Sequence, residues 1–295
     1  MFPDSSGRQS FLTSMQEILI VGHVCIDHNR TEQLEYEAAG SPAVFMNNVF
    51  RQFRDCHVTV ISPYGRDFLP FQGSVNLYPE VPQPIQTLRY TNTVTGGGRK
   101  QECLYWQDAH PIAVDKRMIS LVKSADIICF APLTPDLPPT YVSQMKQFMK
   151  QDCTTILLPQ GYFRTFHADH TVHVREFSEA AELLPLFDGV IVSDEDHPDM
   201  LAVASDWSER FHTIVIVTEA EKGASVVREG QITHVPTDAV APSDIVSSVG
   251  AGDIFSAGFM HVFAGSRDPV AGAAFGNKLA RACLFMKPDA IRIEV

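Results

Sequence analysis

The chain has 295 residues, and 23 Lys and Arg set against 35 Asp and Glu give a formal charge of −12. Apolar residues make up 45% and charged residues 20%, which excludes a disordered chain and supplies ample material for a core. The acidic balance speaks against nucleic acid or an anionic membrane as the main partner, because both need a basic face.

Residues 1–16 mix Ser, Gly, Arg, Gln and Asp and lack the apolar stretch of a signal peptide. They read as a tail ahead of a single domain over 17–295. No run approaches the roughly 18 apolar residues of a membrane span. Cys25, Cys56, Cys103, Cys129, Cys153 and Cys283 form no C-x-x-C pair. They read as reduced thiols, which points to the cytoplasm.

Along the chain, residues 17–22 (EILIVG) are a continuous apolar run, as expected of a strand buried on both faces. Residues 57–62, 126–131, 154–159, 189–193 and 213–218 read the same way. Helices are expected over 42–53, 115–123, 139–150, 176–184, 253–264 and 269–286. This alternation predicts an α/β fold, a three-layer α/β/α sandwich around a mostly parallel sheet. Residues 86–107 break the rhythm with two β-like runs around Gly96-Gly97-Gly98, and 29–38 are short and polar. Together they predict a small β lid over the sheet's edge.

The strongest local signal is 247–259, SSVGAGDIFSAGF. Gly250, Ala251 and Gly252 are small enough for their N–H groups to converge, and a helix beginning there adds partial positive charge. Such a nest suits a phosphate or a developing phosphoryl charge. Asp253 at its mouth is placed to take a proton from an attacking hydroxyl, or simply to cap the helix.

This segment resembles the C-terminal signature of the ribokinase-like sugar kinases, the PfkB carbohydrate kinases. Supporting marks run along most of the chain. Gly22 and Asp27 follow the first strand. Ala39-Gly40-Ser41-Pro42 with Asn47 is similar to the family's G-G motif, and Gly65-Arg66-Asp67 to its later G-x-D. Leu158–Arg164 (LPQGYFR) resembles a segment of the inositol-kinase-like and archaeal branches. Thr218–Gly223 (TEAEKG) stands where the family has T-x-G-x-x-G, and Gly276-Asn277 lies in its last helix.

The resemblance implies ATP-dependent phosphorylation of a hydroxyl on a small sugar or polyol, with a nucleoside kinase or a catalytically degenerate ligand-binding member as alternatives. It implies Asp253 as the base and the backbone of Gly250, Ala251 and Gly252 as the anion hole. Asp27, Gly40, Asn47, Arg99, Gln160 and Arg164 fall on the substrate side. Thr218, Lys222, Gly223 and Asn277 fall on the nucleotide side. Mg²⁺ is implied, with Asp196 holding it through water. A homodimer through the lid is implied by the resemblance alone.

Several positions depart from the family's pattern. Ser247 replaces the Asp associated with a monovalent cation, so potassium dependence does not carry over. Ala39 replaces the first Gly of the G-G motif, Ser193 an Asn, Ala220 the T-x-G glycine, and Leu158 the acid before Gln160. The chain has no G-x-x-x-x-G-K-[ST] and no dinucleotide-binding G-x-G-x-x-G. His167, His170 and His173 lack a partner motif of metal-site spacing.

Overall fold

The computed structural model describes residues 15–30, 35–95, 98–287 and 292. Most of the polar tail and the tip of the lid hairpin, Gly96 and Gly97, lie outside the described residues. The first half holds β1 (Gln16–Gly22), β2 (Cys25–Arg30), β3 (Glu35–Gly40), α1 (Pro42–Phe50), β4 (Cys56–Ile61), β5 (Leu77–Tyr78), β6 (Arg89–Thr95) and β7 (Gly98–Leu104). Next come α2 (Lys116–Ser124), β8 (Ile127–Ala131), α3 (Pro139–Lys146), β9 (Thr154–Leu157), β10 (Arg164–Phe166), β11 (Val172–Val174) and α4 (Ala180–Leu183). The last third holds β12 (Gly189–Ser193), α5 (Met200–Phe211), β13 (Ile214–Thr218), β14 (Ala224–Arg228), β15 (Gln231–Val235), α6 (Ala251–Ser266) and α7 (Pro269–Cys283).

Nine strands form the central sheet in the order β15-β14-β13-β12-β9-β8-β1-β4-β5. The pairs from β5 through β13 are parallel, and β14 and β15 add an antiparallel edge. The apolar strand runs form here because both faces are covered. In β1, Ile18 and Ile20 join a core with α1, α6 and α7. Leu19 and Val21 point the other way, into a core with α2, α3, α4 and α5. This is the three-layer α/β sandwich the alternation predicts.

The sequence reading lists no helix between β12 and β13, yet α5 fills that crossover. It also omits the β14–β15 edge hairpin. The stretch carrying His167, His170 and His173 lies in and beside the small β10–β11 hairpin. The helix expected over 176–184 shortens to α4: it starts only at Ala180, and it ends at Leu183, where a 3₁₀ turn containing Pro185 follows.

A second sheet of four strands, in the order β3-β2-β6-β7, makes the lid. β2 starts at Cys25 and β3 ends at Gly40, so Asp27 and Gly40 stand on the lid itself. β1 pairs with β4 on one side and β8 on the other. The chain order of the strands reverses there, which is where open α/β sheets leave a crevice at their carboxyl ends. β2 departs from the carboxyl end of β1 after only two intervening residues, so the lid is rooted beside that crevice.

Candidate active site

Asp253 occupies the first turn of α6, next to the carboxyl end of the sheet. The helix begins after Gly250, whose φ of 79° is a left-handed conformation that an L side chain adopts only with strain. A Cβ there would also lie 2.7 Å from the Phe45 ring. The turn divides the three small residues. The Ala251 N–H donates to the Ser248 carbonyl at 3.1 Å. The N–H groups of Gly252 and Asp253 have no acceptor among the described residues, as expected at a helix start. A Cβ on Gly252 would meet nothing within 4 Å, so this face of the nest is open.

Burial of the Asp253 carboxyl raises its pKa to about 7. The Arg164 charge opposes that shift, and the Asp27 carboxylate adds to it. As a residue Asp253 is only partly buried, while burial dominates the shift of its carboxyl.

Arg164 follows the 3₁₀ turn Pro159–Phe163 that leaves the carboxyl end of β9. Its Nη1 donates to the Tyr90 hydroxyl at 3.1 Å, and its guanidinium carbon lies 5.3 Å from the centre of the Tyr90 ring. The Tyr90 hydroxyl donates in turn to the Leu133 carbonyl at 3.0 Å. In the lid, Tyr90 pairs with Asp27 on one side and Cys103 on the other, so all three share a face. The Arg164 charge acts on both the Asp253 and Asp196 carboxyls, and Asp27 acts on Asp253.

Asp27 accepts from the Cys25 thiol at 3.4 Å. Gly40 packs directly on it, since a Cβ there would sit 2.0 Å from Asp27 Oδ2. Burial raises the Asp196 carboxyl; the Ser193 N–H it accepts at 2.9 Å and the Arg164 charge pull it back. Glu195 and Asp194 add like-charge repulsion.

Other expected residues sit differently. Asn47 is fully buried in α1, with its Nδ2 donating to Asn48 Oδ1 and no surface for a ligand. Arg99 lies on β7 opposite Val94, and its side chain is outside the described residues. Gln160 is half-buried in the turn before Arg164. Thr218 ends β13 and donates through Oγ1 to the Val192 carbonyl at 3.2 Å. Lys222 is exposed in the next turn, and Gly223 adopts a φ of 105° there. Asn277 donates to the Val235 carbonyl at 2.9 Å, fastening α7 to the end of β15. Among the described residues, no hydrogen bond or ion pair joins these four to Asp253.

Two residues escaped the sequence reading. Tyr90 belongs to no motif. His23 follows β1 and is buried; its Nδ1 accepts from the Leu133 N–H at 3.0 Å, which leaves Nε2 to donate towards the Ala109 carbonyl at 3.1 Å. Burial lowers its pKa and keeps it neutral. It holds the exit of β1 against the loop after β8.

A sequence profile described as pfkB family carbohydrate kinase matches residues 15–287. The chain belongs to this kinase family. A search of curated proteins by sequence found no match. Solved structures similar to this kinase share its fold at low identity. A pyrophosphate-dependent kinase of the ribokinase family, complexed with a pyrophosphate analogue and myo-inositol, is 15% identical over 90% of this chain and 94% of that one, with a TM-score of 0.72. Adenosine kinase from Sinorhizobium meliloti is 16% identical over 92% and 95%, with a TM-score of 0.68. The nucleoside kinase of Methanocaldococcus jannaschii is 13% identical over 93% of each chain, with a TM-score of 0.67. No helix among the described residues of this kinase is long and apolar enough to cross a membrane.

Proposed function

We propose that this kinase transfers the γ-phosphoryl group of ATP to a hydroxyl of a small sugar or polyol. The observation that carries the reading is the buried carboxyl of Asp253, raised to about 7 beside an open helix start. A base with that pKa is matched to neutral pH.

Asp27 accepts hydrogen bonds from the acceptor's hydroxyls, as a carboxylate suits a vicinal diol. Asp253 takes the proton as the hydroxyl oxygen bonds to the γ-phosphorus. The bond from that phosphorus to the β–γ bridging oxygen breaks, and ADP departs. The amides of Gly252 and Asp253, with Gly250 shaping the turn, face the charge on the transferred group. Ala251 contributes through the turn it makes with Ser248 and not as a donor. Gln160 and Arg164 flank the acceptor, and Arg164 also keeps Asp253 from being raised further. Thr218, Lys222, Gly223 and Asn277 shape the donor side. The mutually repelling Asp194, Glu195 and Asp196 suit a divalent cation held through water, and Mg²⁺ when bound neutralises phosphate oxygens. Six unpaired cysteines support a reducing, cytoplasmic setting.

The departures at Ala39, Ser193, Ala220 and Ser247 favour a second reading, a non-catalytic binder on this scaffold. An assay of purified protein with Mg-ATP or pyrophosphate against sugars, inositols and nucleosides separates the two. Phosphoryl transfer with ATP and a polyol or sugar is expected. Donor binding without turnover on any acceptor establishes the binder, and transfer from pyrophosphate alone replaces ATP as donor.

A further inference from the structure

A second cluster of reactive side chains lies at the opposite end of the strands. Cys56 opens β4, and Gln16 opens β1 and pairs with it. His261 projects from α6, eight residues beyond Asp253, or about 12 Å along the helix axis at about 1.5 Å per residue. The Cys56 Sγ lies 3.7 Å from His261 Nδ1, 3.8 Å from Asp55 Oδ1 and 3.8 Å from Gln16 Oε1. One ligand atom from each of Asp55, Cys56 and His261 falls within 4.8 Å of the others, and all three residues are partly exposed.

We propose that Cys56, His261 and Asp55 form a binding site for a zinc-class divalent cation, remote from the phosphoryl-transfer site. Zinc bonds of about 2.3 Å to sulfur and about 2.0 Å to nitrogen or oxygen place tetrahedral ligands about 3.5 Å apart. The separations from Cys56 match that edge to within a few tenths of an ångström. A single thiol hydrogen cannot serve the Asp55 and Gln16 oxygens at once, whereas a cation bound to the thiolate can draw on both, and on the His261 nitrogen. Thiolate and carboxylate together balance a dication, and sulfur with imidazole selects zinc over magnesium or calcium.

The surroundings fit the ligand roles. The His261 ring stacks on Phe53 with centroids 4.1 Å apart and planes 14° from parallel, which fixes its orientation. Only the thiolate ligates, so binding of the cation displaces the Cys56 thiol proton to solvent. Gln16 Oε1, 3.8 Å from the Cys56 sulfur, is placed to add a fourth ligand. The site would clamp β4 to the far half of α6.

The test uses the full chain, titrated with Co²⁺ and then Zn²⁺. One equivalent of Co²⁺ is expected to give a thiolate-to-cobalt charge-transfer band, bleached by Zn²⁺, and Zn²⁺ is expected to raise the melting temperature. Cys56→Ser abolishes the band and the thermal shift. Asp55→Asn, which preserves shape where His261→Ala risks loosening the Phe53 stack, weakens Zn²⁺ by at least about tenfold. Cys283→Ser retains both signals. A wild-type protein without the band, or a band that survives in Cys56→Ser, overturns the assignment. Because no arm measures turnover, the result is independent of the role of Asp253.

Discussion

Gly40 and Asp27 lie so close that no side chain fits between them: a Cβ on Gly40 would stand 2.0 Å from the Asp27 carboxylate. The contact is between two lid strands, since β3 and β2 are antiparallel neighbours. Gly40→Ala must therefore move Asp27 or spread the strands. We expect the KM for the acceptor to rise by about tenfold or more, because a misplaced carboxylate loses a charge-assisted hydrogen bond worth about 1.5–3 kcal/mol. Donor binding, measured by titration without acceptor, should stay unchanged. A variant with a normal acceptor KM removes Asp27 from acceptor recognition.

Asp253 sets the pH dependence. Its carboxyl must be ionised to accept a proton, and burial places its pKa at about 7. The rate with saturating donor should fall as pH drops below about 7. Asp253→Asn should lose rate by about 10²–10⁴ while keeping donor binding. Stability should move the opposite way. A carboxyl raised in the folded state disfavours folding increasingly as pH rises from its unfolded value towards about 7, and fully above it. Asp253→Asn should thus melt higher than the parent at pH 8, with the difference shrinking towards pH 4. Equal melting at both pH values refutes the burial argument.

Arg164 pulls the Asp253 pKa down from where burial alone would put it. Arg164→Gln removes that charge while keeping a polar side chain at the position. The acidic limb of the pH–rate profile should then shift to higher pH. An unmoved limb with a raised acceptor KM would assign Arg164 to substrate contact alone.

Gly250 and Gly252 should respond in opposite ways. Gly250→Ala meets both a φ of 79° and the Phe45 ring, so it should destabilise the fold by about 1–3 kcal/mol. Gly252→Ala meets nothing, and within a helix it should stabilise by about 0.5–1 kcal/mol. Its methyl group nonetheless projects into the open face of the nest, so turnover should fall. Thermal melts and initial rates on both variants check this crossing of effects.

Much of the scaffold is legible in the chain because parallel strands covered on both faces are written as continuous apolar runs. What stays hidden has a weak signal. α5 buries Met200, Ala204, Trp207 and Ser208, a helical spacing whose small and polar members mask the stripe. β15 is exposed for four of its five residues, so it carries no apolar pattern. In the site, Asp253 and Gly250 are visible as a local motif. Tyr90 is not, because its bond to Arg164 joins positions 74 residues apart. Nor does the G-A-G-D string reveal that the Ala251 amide turns to Ser248, since that depends on the backbone path into α6.

The lid is assembled from two stretches of chain, 25–40 and 89–104, joined by the parallel pairing of β2 with β6. During synthesis the first stretch is complete 49 residues (89 − 40) before the second begins. At about 5–20 residues per second the delay is about 2–10 s. Throughout it β2 presents an unpaired edge, the kind of surface that recruits other chains. The strand that bears Asp27 therefore completes its sheet only once the second stretch has been made.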